Sequence, residues 1–156
     1  MKILGFNYTK INAECKETKK QPLGASTDIK FINIEKEESL NILKDNNIIK
    51  VNFSYIVSYQ TQESKKDTAA SIDIEGYILV AAEKEEVKEI LSIWKKKELS
   101  VNLKLFLFNF ILKKCTPKAV SLESELDLPY HIPIPKLTPV ASANEIDEDS
   151  KDKKKR

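Results

Sequence analysis

From Ile49 to Tyr59 the chain alternates: Ile49, Val51, Phe53, Tyr55, Val57 and Tyr59 share one parity, and Lys50, Asn52, Ser54, Ile56 and Ser58 the other. A period of two belongs to a strand with one wet and one buried face. The pattern returns after the polar stretch Thr61 to Thr68, with Ile72, Ile74, Gly76, Ile78 and Val80 set against Ser71, Asp73, Glu75, Tyr77 and Leu79. So short a link predicts an antiparallel hairpin, and Gly76 inside it predicts a bulge or a close backbone approach. Between Ile3 and Cys15 the apolar residues change parity, from Leu4, Phe6 and Tyr8 to Ile11 and Ala13, which predicts a strand with a bulge near Thr9 and Lys10. Ile29 to Ile34 predicts a short strand. Lys16 to Thr27, with Pro22 and Gly24, predicts a loop, and Glu35 to Asn47 one helical turn or an irregular edge.

At Glu83 the period switches. Val87, Ile90, Leu91 and Trp94 recur at helical spacing, with acids at the start of the segment and Lys95, Lys96 and Lys97 at its end, the order that the helix dipole favours. Core packing against the sheet is the expected use of that stripe. The most apolar run, Val101 to Leu112, alternates in its first half, but Phe106, Leu107, Phe110 and Ile111 form a helical stripe. Ser100 suits an N-cap and Pro117 a stop, so the run predicts a helix buried over most of its circumference, too short and too interrupted to span a bilayer. Strands are therefore expected near residues 3–15, 29–34, 48–60 and 70–81, and helices near 83–97 and 100–115. Ala119, Leu122 and Leu126 suggest a further short helix.

The run Leu128-Pro-Tyr-His-Ile-Pro-Ile-Pro-Lys-Leu-Thr-Pro139 forbids a helix and predicts an extended strap that carries Leu128, Ile132, Ile134 and Leu137 onto an apolar surface. Residues 1–140 are expected to form a single α+β domain ending in this strap, and residues 141–156 a disordered charged tail. Because the apolar helix offers more faces than one small sheet can cover, a homo-dimer or homo-tetramer is expected. Phe106 and Phe108 are the two candidates for its interface.

Charge narrows the function. The 156 residues carry 26 basic and 24 acidic side chains, and Arg156 is the one arginine. Sequence-specific nucleic-acid recognition leans on arginine forks and a strong positive field, so no nucleic-acid partner is expected. With 3 glycines a phosphate-cradling loop is excluded in its usual form, and a single His131 excludes a histidine metal cluster. His131 is expected to be packed and hydrogen-bonded. Asp73 and Glu75 share a strand face at the spacing of an acid–base pair, which is also the spacing of any solvated face. Cys15 and Cys115 lack a metal or redox spacing and read as small buried thiols. No enzyme activity and no cofactor are expected. The N-terminus lacks the apolar block of a signal peptide, so a cytoplasmic protein without stable membrane insertion is expected.

The order of antiparallel strands, a helix, an apolar helix and the segment Leu128 to Pro135 resembles the SecB family of export chaperones, including a set of archaeal SecB-like proteins. The likeness spans about Ile3 to Pro139. It implies a four-stranded antiparallel Greek-key-like sheet backed by two helices. It also implies a holdase that binds unfolded or non-native polypeptides in an apolar groove without a cofactor. Phe6, Tyr8, Tyr55, Tyr59, Tyr77 and Phe110 are then the candidate peptide-binding residues. Family members are acidic and offer a negative surface to the SecA motor, whereas this chain carries +2, a departure that leaves a motor partner open. The alternative is a non-catalytic homo-oligomeric structural or adaptor protein.

Overall fold

Alternating residues become four long strands in the computed structural model, which describes residues 1–16, 23–38, 47–61 and 68–137. These are β1 (Lys2–Cys15), β2 (Leu23–Glu37), β3 (Asn47–Thr61) and β4 (Thr68–Ala82), followed by two helices, α1 (Lys84–Trp94) and α2 (Val101–Glu125). All neighbours are antiparallel, in the order β1-β4-β3-β2. Strand β1 thus lies beside β4, the far end of the consecutive run β2-β3-β4, which is a Greek-key order. The molecule is the expected α+β unit of an open sheet with two helices.

Both helices pack on one sheet face, where Ile49, Val51, Phe53, Tyr55, Val57 and Tyr59 of β3 meet Ile72, Ile74, Ile78 and Val80 of β4 in one buried cluster. The bulge expected near Thr9 is present as a register shift between Tyr8 and Lys10. A second shift between Ile3 and Gly5 places Ile3, rather than Leu4, on the parity of Phe6; Leu4 is exposed. Strand β2 is far longer than its apolar pattern, because it pairs with β3 from Leu23 to Glu37 through backbone groups while most of its side chains are wet. Residues 23–27 of the expected loop and 35–37 of the expected helical turn or irregular edge are strand. Residues 17–22, 39–46 and 62–67 lie outside the described residues, as does everything after Leu137, the expected tail included.

Gly76 has the close approach its position predicted: a Cβ there would sit 2.4 Å from the Asn7 carbonyl oxygen and 2.9 Å from the Phe53 ring. The missing side chain is the space in which Phe53 lies.

Helix α1 is fixed by its first turn, where the Glu83 N–H donates to Glu86 Oε2 at 3.1 Å, and by burial of Val87, Ile90 and Trp94. It ends before the lysine run, as Lys96 and Lys97 bond back three residues and Lys97 takes a left-handed φ of 60°. Helix α2 starts where expected, with the Ser100 hydroxyl accepting from the Leu103 N–H at 3.4 Å. It does not stop at Pro117, and the short helix expected after that residue is its continuation. Proline removes one backbone donor, but Cys115, Ala119 and Glu123 on either side of it are held in the core, and that packing outweighs the lost bond.

Nor is α2 buried over most of its circumference. Its buried row is Leu103, Leu107, Ile111, Cys115, Ala119 and Glu123, a spacing of four. Steps of four advance about 40° round a helix of 3.6 residues per turn, so the sheet-facing side rotates along α2. Val101 and Leu105 remain 72% and 54% exposed, with Phe106 and Leu112 also in solvent. The strap buries Leu128 alone of its four expected contacts; Ile132, Ile134 and Leu137 are exposed. Cys115 is buried as expected and Cys15, near the end of an edge strand, is not. No described helix is long and apolar enough to cross a membrane.

Candidate functional site: two aromatic grooves beside one helix

Helix α2 lies over β3 and β4 and α1 over β2 and β3, so aromatic residues of the edge strands β1 and β2 meet α2 on its two flanks in two clusters that define its grooves. Phe108 and Phe110 stand on opposite sides of the buried ridge of Leu107 and Ile111, one toward each groove.

On the β1 side, Phe6 stacks on the buried Phe53 ring at 5.7 Å and meets Tyr8 and Phe110 edge-on at 4.9 and 5.8 Å. Phe6, Tyr8 and Phe110 are half-buried, with ring surface left for a partner. Tyr8 ties strand to helix by donating from its hydroxyl to the Lys114 carbonyl at 2.8 Å, and burial holds its phenol above the ordinary range. The Lys114 ammonium stands 6.0 Å from the Phe6 centroid and 5.9 Å from that of Phe110.

On the β2 side, Phe31 and Phe108 stack nearly parallel, 4.8 Å apart. Phe31 also lines a cleft of about 240 Å³ with Trp94, Lys97, Glu98, Leu99 and Lys104. Lys97 Nζ lies 4.5 Å over the Trp94 ring and Lys104 Nζ 5.9 Å from that of Phe108. Strands β1 and β2 are the two edges of the sheet, so each groove runs beside backbone N–H and C=O groups of the kind that pair with an added strand.

Between the grooves the strap is fastened down. Glu123, fully buried on α2, receives the Tyr59 hydroxyl at 2.5 Å, His131 Nδ1 at 2.5 Å and the His131 backbone N–H at 3.3 Å, all on Oε1. Its Oε2 has no hydrogen-bond partner among the described residues. His131 Nε2 meets the Tyr55 hydroxyl at 2.8 Å, and the Tyr59 hydroxyl also reaches the Pro129 carbonyl at 2.9 Å. Burial raises both tyrosine pKa values, and for Tyr59 the bond to Glu123 adds to it. His131 is therefore the packed histidine the sequence suggested, and its partners join α2, β3 and the strap.

Of the six candidates, the structure brings together Phe6, Tyr8 and Phe110. Tyr55 and Tyr59 are fully buried beneath α2 and the strap, with their hydroxyls engaged in the Glu123–His131 cluster, so they offer no surface. Tyr77 is on the opposite face of the sheet, where its ring carries Lys50 Nζ at 4.8 Å and its hydroxyl accepts from Asn7 Nδ2 at 3.5 Å. The same outer face holds Asp73 and Glu75, bridged by Lys10 Nζ at 3.0 and 3.2 Å, which makes the pair an ion-paired surface. Phe31 was not singled out in the sequence, while Trp94 was read as core, Lys97 as a helix-end charge and Phe108 as an interface candidate, none of them as groove residues. Phe31 shares the parity of Ile29, and Phe108 lies off the stripe of Phe106 and Phe110; those were the available signals. No group of three metal-ligating side chains occurs among the described residues.

No family model matches the chain, and no curated protein matches it. Among solved structures it is similar to the Mycobacterium tuberculosis Rv1957 SecB-like chaperone in complex with a ChAD peptide from the Rv1956 HigA1 antitoxin, at 14% identity over 89% of this chain and 91% of that one, with a TM-score of 0.49.

Proposed function

We propose that this protein is a holdase: it binds non-native polypeptide segments in the two grooves flanking α2, without a cofactor and without catalysis. The observation that supports it is the pairing, in each groove, of half-buried aromatic rings with a sheet edge. An extended segment laid beside β1 or β2 would pair with the edge through its backbone, whatever its sequence. Its alternate side chains would stack on Phe6 and Phe110, or on Phe31 and Phe108. Burial of an apolar side chain contributes about 1.5–3 kcal/mol before association and ordering costs, so the roughly 8 kcal/mol of micromolar binding requires several such contacts together with the edge hydrogen bonds, spread over both grooves. Tyr55 and Tyr59 serve from below by holding the strap.

Self-association belongs to the same proposal. Val101, Leu105, Phe106 and Leu112 on the outward side of α2 are apolar and wet, and a second copy would cover them as a homo-dimer or homo-tetramer. This face also favours the second reading, a purely structural homo-oligomer. Suppression of aggregation of a chemically denatured test protein separates the two. The holdase suppresses it at near-stoichiometric amounts, and a folded variant with Phe31→Ser and Phe110→Ser loses most of that effect. An unmodified protein that leaves aggregation unchanged would refute the holdase and retain the structural role.

A further inference from the structure

Helix α2 walls both grooves, and from Val101 to Leu122 it carries Lys104, Lys113, Lys114 and Lys118 with no Asp or Glu. Its first acid, Glu123, is fully buried and turned into the strap. Two of these lysines hold their ammonium groups over groove aromatics: Lys114 near Phe6 and Phe110, and Lys104 near Phe108. Lys97 does the same over Trp94. Against these stands Glu98 in the β2-side cleft. Asp73 and Glu75 are on the far face of the sheet and already bridged by Lys10. Although the whole chain is close to neutral, both grooves present an aromatic floor with a positive lip.

From this we infer that the grooves select polypeptide segments in which apolar or aromatic residues are flanked by carboxylates. A side chain stacked on Phe6 or Phe31 brings its neighbours along the strand to the lip. A Glu or Asp there pairs with Lys114 or Lys104, while a Lys or Arg meets a like charge. The apolar floor supplies affinity and the ammonium groups supply the choice. The inference rests on the holdase proposal and names its client class.

The test uses two labelled peptides with the same alternating Leu and Phe residues, one flanked by glutamates and the other by lysines, titrated into the full chain by fluorescence anisotropy. The glutamate peptide is expected to bind about tenfold more tightly, given that exposed ion pairs each contribute a few-fold and like charges oppose. That ratio collapses toward one near 1 M salt, where screening acts within about 3 Å. In the double variant Lys104→Glu with Lys114→Glu the preference reverses; both side chains are exposed, and thermal melting confirms that the variant folds. Equal binding of the two peptides, or tighter binding of the lysine peptide, overturns the selection and leaves a holdase without charge preference. A glutamate preference that survives the double variant places the selecting charge elsewhere and overturns the groove assignment. Failure of both peptides to bind refutes the holdase itself.

Discussion

His131 puts two donors on one oxygen of Glu123, and the carboxyl has a single further donor in Tyr59. Removing the imidazole strands a buried acidic group whose second oxygen already lacks a partner, so His131→Ala is expected to cost about 3 kcal/mol in urea unfolding. Gly76→Ala forces a methyl against the Asn7 carbonyl and the Phe53 ring, and a loss of about 1–3 kcal/mol is expected, with Phe6 displaced in the same step. The buried acids set the alkaline limit. Burial holds Tyr8, Tyr55 and Tyr59 above their ordinary 10.0 and pushes Cys115 from 9.0 up to about 12. The folded chain then keeps protons that the unfolded chain releases. Stability is full below about pH 9 and falls as the pH rises through 10, which equilibrium unfolding at a series of pH values will report. At pH 8 an aromatic disulfide reagent should titrate the exposed Cys15 at once and Cys115 only on unfolding. Gly76 and the bulge at Thr9 were legible in the sequence because each interrupts a parity. The burial of Tyr55 and Tyr59 under a lid was not, since alternation names a face without saying what covers it.

Elements declare themselves in sequence through side chains, and those held by their backbone do not. Strands β3 and β4 were readable to within a residue or two because both are central and one face of each is apolar. Strand β2 was readable only over residues 29–34; its remaining residues are held by hydrogen bonds to β3, which leave no trace in hydropathy. Helix α2 misled in both directions, as Pro117 announced an end that packing overrides, and a buried row drifting round the axis gives no fixed stripe. Since proline in a helix interior costs about 3 kcal/mol relative to alanine, Pro117→Ala restores a donor toward the Lys113 carbonyl. A gain of about 1–3 kcal/mol in thermal or denaturant unfolding is expected.

For the molecule as a whole, the two phenylalanines between which the sequence could not choose now have separate tasks. Phe108 is stacked on Phe31 and Phe106 faces solvent beside Leu105. Sedimentation of Leu105→Glu should return a folded species of 17.8 kDa from a larger assembly, whereas Phe108→Glu should lower the melting temperature first. An apolar groove with Phe6, Tyr8 and Phe110 was expected through the family resemblance, but the cluster on the β2 side escaped the sequence reading because Phe31, Trp94 and Phe108 come from a strand and two helices distant in the chain, and none of the three is distinctive alone. If the grooves hold clients as proposed, their duplication on the two flanks of a single helix sets how long a chain is kept. The edges they border are three strand spacings apart, about 14 Å, so one long unfolded chain can enter both. Its second attachment is then intramolecular, governed by the length of the intervening linker rather than by the concentration of protein. Residence time on the proposed holdase would then grow with the number of apolar segments a chain leaves uncovered more than with the fit of any one, and α2 and its flanks would act as a gauge of how much of a polypeptide is still unfolded.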